Sequence, residues 1–248
     1  MKENNSEFLE YLKISEKKVG GLQSNKLISE KDTVLQNTTV SLYRDHVFPI
    51  PIDKEINLDP TKMIISKTDT RGYIEYANEY FMEICGYEEY ELMGQPHNII
   101  RHPDMPKTIF RLMWESLKKG ENIHVFVKNM AKDGRYYWVL TNFEMGVDQE
   151  GNIVSYYAKR KAAPQNAIAE INRLYNIIKA IEKKQGEEMA LNYLYGLLEE
   201  KKMTYNQFIL SILGVNQSEL TQYFYHQKFV EQTVEERKKT LIERLFRK

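Results

Sequence analysis

The sequence predicts an α+β fold: a five-stranded antiparallel sheet with helices on one face, followed by a C-terminal all-α segment. Two features carry this reading. Between residues 42 and 164, β-rich runs and turn signals follow the order strand–strand–helices–strand–strand–strand. That order gathers helices on one side of an antiparallel sheet. Residues 165–248 contain no proline and follow helical periodicity instead. Residues 1–41 are polar, broken by Gly20-Gly21, and read as an N-terminal arm, partly helical through the spacing of Phe8, Tyr11, Leu12 and Val19.

Within the central stretch each element has a local reason. Met63 to Ser66 and Tyr73 to Tyr76 flank Asp69-Thr70-Arg71-Gly72, which is strand, turn, strand. Asn78 to Cys85 reads as a helix opened by an Asn cap and closed by Gly86. Ile109, Leu112, Met113 and Leu117 form the apolar stripe of a second helix, with Lys118 and Lys119 in its last turn. Asp133-Gly134 joins the β-rich runs His124 to Met130 and Tyr136 to Phe143, the strongest short hairpin signal. Asp148 to Gly151 turns the chain again into a last strand, Ile153 to Lys159. In the C-terminal segment, Thr204 with Gln207 forms a capping box before Tyr205, Phe208, Ile209, Ile212 and Leu213, and Gly214 stops that helix. Asn216 with Glu219 repeats the cap, so three or four helices are expected.

Composition excludes several classes of function. With 42% apolar residues the chain can bury a core. Thirty-five basic residues balance thirty-five acidic ones, so no long-range field gathers nucleic acid. One cysteine excludes a disulfide framework and a CxxC zinc site. There is no secretory or lipidation signal, and no apolar run reaches the roughly 18–20 residues of a membrane helix. A soluble, cytoplasmic protein is expected. No nucleophile–base set, P-loop or HExxH motif occurs, so it reads as a non-enzyme without a metal site.

The motifs are more specific. Gly86-Tyr87, Gly94-Gln-Pro-His-Asn98, Arg101-His-Pro-Asp-Met-Pro-Lys107, Val127-Lys-Asn129, Lys132-Asp-Gly134 and Tyr137-Trp-Val139 stand in order along the chain. Together they closely resemble the PAS domain of Aer-type energy-taxis proteins, over about residues 43–161. The resemblance implies FAD held noncovalently and redox state reported to a chemotaxis receptor or other signalling partner. Some proteins of that family are one-piece membrane receptors; others are soluble and act with a separate receptor.

For FAD, Arg101 offers a planar fork of donors to a pyrophosphate, and His102 adds a donor or a stacking ring. Asp104 stands where it caps a helix beginning near Met105, with Pro106 in the first turn. The plain alternative is a solvated loop braced by Asp104. By the same resemblance Trp114 packs near the flavin, and Asn129 faces it with an amide that both donates and accepts. Asn78 joins the candidate set, although an N-cap role alone explains it.

Where the family carries a tryptophan and small residues before VKN, this chain has Ile123-His124-Val125-Phe126. Bulk at Val125 and Phe126 narrows a pocket, which leaves open a rival reading as a cofactor-free interaction or dimerisation module. A pocket-facing His124 is a minority route to haem. Cys85 ends its helix outside any Asn-Cys-Arg motif of flavin-adduct photoreceptors, so a role as a small buried hydrophobe is expected. In the C-terminal segment, Tyr193, Leu194, Leu197, Leu198, Phe208, Ile212, Tyr223 and Phe224 need burial, either as a bundle of their own or against a partner. The segment is expected to act as an output lever, and a homodimer is left open.

Overall fold

The computed structural model describes residues 40–43 and 46–225, so the helix expected around residues 8–19 lies outside it. A short hairpin comes first, β1 (Val40–Tyr43) and β2 (His46–Pro49). The main sheet uses β3 (Ile64–Thr68), β4 (Ile74–Ala77), β5 (Ile123–Met130), β6 (Tyr136–Val147) and β7 (Ile153–Ala162). Its order is β4-β3-β7-β6-β5, antiparallel throughout. Between β4 and β5 lie α1 (Glu79–Cys85), the short α2 (Glu89–Leu92), a 3₁₀ turn at His97–Ile100, and α3 (Lys107–Lys118). After β7 come α4 (Gln165–Gln185), α5 (Glu187–Glu200), α6 (Tyr205–Leu213) and α7 (Gln217–Tyr225). The expected fold class is therefore the observed one.

The long hairpin sets the sheet. Asp133 accepts the Arg135 N–H at 3.0 Å, and Gly134 has φ +89°, where a side chain would collide with the Ile50 carbonyl. This fixes Asn129 opposite Tyr137 and Val127 opposite Val139. Alternation then divides β5 between two faces. Ile123, Val125, Val127 and Asn129 point to the inner face, covered by α1 and α3. His124, Phe126 and Lys128 point to the outer face. The bulk of Phe126 thus turns away from the layer it was expected to narrow.

Loops close both edges of the sheet. On the β4 side, Ile74 N–H donates to the Gln95 carbonyl at 2.9 Å and Gly94 N–H to the Ile74 carbonyl at 2.8 Å. On the β5 side, Arg101 makes a bridge to Asn129, and Lys128 N–H donates to the Met105 sulfur at 3.2 Å. Each edge is covered by one of the two motif segments.

The C-terminal helices cover the outer face. The Tyr175 hydroxyl on α4 donates to the Phe126 carbonyl at 2.8 Å, and its ring lies 6.3 Å from that of Trp138. Phe224 on α7 packs against His124, ring to ring at 5.8 Å. One apolar core therefore runs from Met63 to Phe224. Of the surplus apolar residues, Leu194, Leu198, Phe208, Ile212 and Phe224 are buried in it, whereas Tyr193 is exposed. Residue 164 separates two kinds of element, but packing continues across it.

Two outcomes follow. Trp138→Ala removes a buried indole (7% exposed) and should cost about 3–5 kcal/mol in urea unfolding. A chain ending at Lys161 exposes Phe126, Trp138 and Leu140, and should aggregate or lose its cooperative melt by calorimetry. A fully folded, monomeric truncation would show that the outer helices are dispensable.

Candidate functional site

The RHPDMPK segment is a strap along the open edge of β5. Arg101 stacks its guanidinium over the Phe110 ring at 4.4 Å and donates from Nη2 to the Met105 carbonyl at 3.3 Å. His102 is buried; its Nδ1 accepts the Asp104 N–H at 3.0 Å, and its ring meets the Tyr136 ring edge-on at 6.0 Å. Burial, aided by the Lys128 charge, lowers the His102 pKa to about 4, so the ring is neutral at pH 7.

Asp104 does not cap a helix. α3 begins only at Lys107, with Pro106 in the preceding position, and nothing from the Asp104 side chain reaches its first turn. Two ammonium groups claim the carboxylate instead: Lys128 on β5 at 3.1 Å and Lys179 on α4 at 2.9 Å. Burial opposes ionisation, but those two bonds outweigh it and hold the pKa at about 2. Asp104 thus joins strap, sheet edge and outer helix.

Asn78 is held by backbone. Its Oδ1 accepts from Ile65 N–H at 3.0 Å and Phe81 N–H at 3.1 Å, and its Nδ2 donates to the Met63 carbonyl at 2.8 Å. It caps α1 and pins it to β3, which uses both oxygen lone pairs and one of the two amide N–H groups. Trp114 meets Tyr156 of β7 edge-on at 5.1 Å, two strands away from Asn129. Of the six candidates, then, Arg101, His102, Asp104 and Asn129 come together at the β5 edge; Asn78 and Trp114 stand elsewhere.

The inner face holds residues that the motifs did not single out. Arg160 on β7 is 2% exposed. Its Nη1 donates to Ser66 Oγ at 3.0 Å and to the Ala158 carbonyl at 3.3 Å, and its Nη2 bonds His97 Nε2 at 2.9 Å. The guanidinium lies over the Phe81 ring at 5.7 Å, and His97 stacks on the same ring at 5.8 Å. Among the described residues no carboxylate pairs with Arg160. Burial lowers its pKa to about 10, which leaves it cationic at neutral pH. Burial, together with the neighbouring Arg160 charge, pushes the His97 pKa well down, so a neutral imidazole accepts at Nε2.

Three more polar atoms on this face make no hydrogen bond of good geometry among the described residues: Asn129 Nδ2, the Tyr137 hydroxyl and Thr141 Oγ1, with the Asn129 amide close enough to the Tyr137 hydroxyl to act on it. Burial raises the Tyr137 pKa and pushes the nearby Cys85 thiol up to about 11, so both stay protonated. A buried cation with only neutral partners, beside unfilled donors and hydroxyls, suits a polar ligand that brings negative charge or acceptor atoms. The sequence did hold a signal: strand alternation places Arg160 in phase with Ala158 and Tyr156, a basic residue on a core-facing register. His97 sat inside the GQPHN motif without an assigned role. His124, the residue considered for haem, faces the opposite side.

A five-stranded antiparallel sheet with this strand order and helices across its inner face is a PAS fold, and residues 74–158 match the family model described by that name. The Aerotaxis receptor of Escherichia coli (strain K12) is 44% identical over 117 residues, covering 47% of this chain and 23% of that protein. Biofilm dispersion protein BdlA of Pseudomonas aeruginosa is 29% identical over 87 residues, covering 35% of this chain and 21% of that protein. The light-state structure of the photoreceptor Aureochrome1 LOV superposes with a TM-score of 0.40 at 21% identity, covering 48% of this chain and 91% of that one. The PAS region thus resembles that of the aerotaxis receptor. The chain spans about a fifth to a quarter of the length of these curated relatives. Among the described residues no helix is long and apolar enough to cross a membrane, and no His, Cys, Asp and Glu cluster is arranged to hold a metal ion.

Three enclosed histidines, His97, His102 and His124, make stability pH-dependent. All have native pKa values below the ordinary 6.5, so the unfolded chain takes up protons first as pH falls. Stability should therefore drop from about pH 6.5 towards pH 4, by up to about 1.4 kcal/mol per pH unit per histidine. Asp104 adds its loss lower down, between about pH 3.8 and 2. Urea midpoints at pH 7, 5.5 and 4.5 check this, and His102→Gln should show a shallower fall.

Proposed function

We propose that this chain is a PAS redox or energy sensor that holds FAD noncovalently on the inner face of its sheet and signals by contact to a chemoreceptor or other signalling partner. It performs no chemistry on a substrate in this reading. The observation that carries it is the inner layer: a buried Arg160 without a carboxylate, next to the unpartnered Asn129 amide and the Tyr137 and Thr141 hydroxyls. The 44% identity to an aerotaxis receptor supports the same direction.

When bound, a flavin supplies a reversible redox couple whose edge changes between accepting and donating hydrogen bonds. This chain's residues supply the response. Arg160 favours the more negative form by charge, while Ser66 and His97 hold it in place as neutral acceptors. Asn129 can present either its amide nitrogen or its oxygen, so each redox state favours one orientation. Asn129 sits on the strand bridged to Arg101, whose strap is tied through Asp104 to α4. A change at the inner face thereby has a covalent and ionic route to the outer helices. The exposed apolar side chains of α4 and α5, Ile177, Met189 and Tyr193, are the surface such a partner would cover. The rival reading, a cofactor-free module, rests on Ile123 to Phe126; Phe126 turns outward, while Ile123 and Val125 remain on the inner face.

Purified full-length chain should show flavin absorption bands and release FAD on heating. Colourless protein that takes up no added FAD would overturn the reading. Arg160→Met should weaken FAD retention by about tenfold or more, since charge-assisted bonds contribute about 1.5–3 kcal/mol. The flavin-free variant should be at least as stable as the parent, because a buried charge is removed and Ser66 Oγ still pairs with His97 Nε2 at 2.9 Å. Fluorescence titration and urea unfolding read the two effects separately.

A further inference from the structure

On the outer side of the sheet, away from Arg160, a cavity of about 390 Å³ lies between the strands and the last two helices. His124 of β5 and Asn142 of β6 form its floor. Asn206 of α6 and Gln217, Thr221 and Phe224 of α7 form its walls. Among the described residues none of its lining side chains is charged. Cavities of roughly 300–1,000 Å³ are the size that holds small organic ligands.

Two atoms of the floor are unsatisfied. His124 is 7% exposed and Asn142 4% exposed; among the described residues Asn142 Oδ1 has no hydrogen-bond partner, and His124 Nδ1 makes no bond of good geometry, although the Asn206 side chain lies close enough to act on the ring. The orientation of Asn142 is fixed by its own amide, since Nδ2 donates to Glu144 Oε1 at 2.6 Å and leaves Oδ1 as the open acceptor. Asn206 holds the wall in register: its Oδ1 accepts the His124 N–H and its Nδ2 donates to the Asn122 carbonyl, both at 3.0 Å. The Phe224 ring stands 5.8 Å from the His124 ring at 37°, giving the cavity a flat aromatic side. Burial keeps the imidazole neutral at pH 7.

We propose that this cavity is a second small-molecule site, for an uncharged planar molecule with a donor and an acceptor side by side, such as a primary carboxamide or the equivalent edge of a nucleobase. The donor meets Asn142 Oδ1. His124 Nδ1 meets the neighbouring atom, and either tautomer of the ring can serve it. Glu144 stands directly behind the floor, bonded to Asn142 and acting on the His124 ring, so an anion would meet a carboxylate there and lose its hydration without compensation. A molecule held this way touches both the sheet and α7, so its occupancy tightens the last helix onto the sensor. The site needs no flavin and stands independently of the inner layer.

The test uses the full chain labelled at histidine and followed by NMR, with nicotinamide and adenine as probes and benzoate as the charged planar control. Saturable movement of the His124 ring signals is expected with at least one uncharged probe at millimolar concentration, with benzoate at least about tenfold weaker. Asn142→Leu removes the open acceptor and should weaken binding by about tenfold. Thr221→Trp, at an exposed rim position, should block entry without touching the core. No saturable shift with either uncharged probe, or shifts unchanged by both N142L and T221W, would show a water-filled cavity only and overturn the proposal.

Discussion

The central constraint is that both faces of the sheet are buried along β5 and most of β6. An antiparallel sheet usually leaves one face in water. Here successive residues of β5 and β6 answer to two separate layers, with α1 and α3 on one side and α4, α6 and α7 on the other, while α5 packs on α3 and α4. A shift of one residue in the register of β5 on β6 would exchange the two faces of β5. Asn129 would then turn to the side of Tyr175, and Phe126 to the side of Phe81. The turn at Asp133-Gly134 and the pairing of Lys128 with Trp138 hold this arrangement.

Against that background the inner layer is unusual in its polarity. Apolar residues of similar volume at Arg160, Tyr137 and Thr141 would make a more stable empty fold. Keeping a guanidinium there with serine, histidine and a carbonyl as its partners leaves an electrostatic demand that the protein alone does not meet. Proteins tolerate such local conflicts mainly at sites of function. The outer layer follows a different logic, with few polar groups, most of them satisfied, and its two open atoms confined to one end beneath α7.

Much of the fold was legible because its signals are local. The Asp133-Gly134 turn, the Asn78 cap, the Thr204–Gln207 capping box and the stripe on α3 depend on residues close in sequence, and each appears where expected. The site was only partly legible. Asn129 and the strap came from the motifs, but a motif does not say which side-chain groups are already engaged. The Asn78 side chain is tied to Ile65, Phe81 and Met63, two of them distant enough in sequence that the motif alone does not show it. Asp104 looked like a cap, since its partner Lys179 lies 75 residues away in a segment assigned to output. Arg160 was passed over because a lysine- and arginine-rich strand end reads as solvated, and only the register across three strands shows which of those charges turns inward.

The loops along β4 and β5 have a consequence for how this protein can associate. An exposed strand edge is a template on which another chain can add a strand, the usual route to uncontrolled β-pairing. Gly94-Gln95 occupies the backbone of Ile74 at one border of the sheet, and Arg101 with Met105 occupies that of β5 at the other. The segments that identify the PAS region therefore also act as guards, leaving little free hydrogen-bonding border to lend. Any association of this chain would then have to use helix surfaces, where side chains rather than backbone decide who may bind.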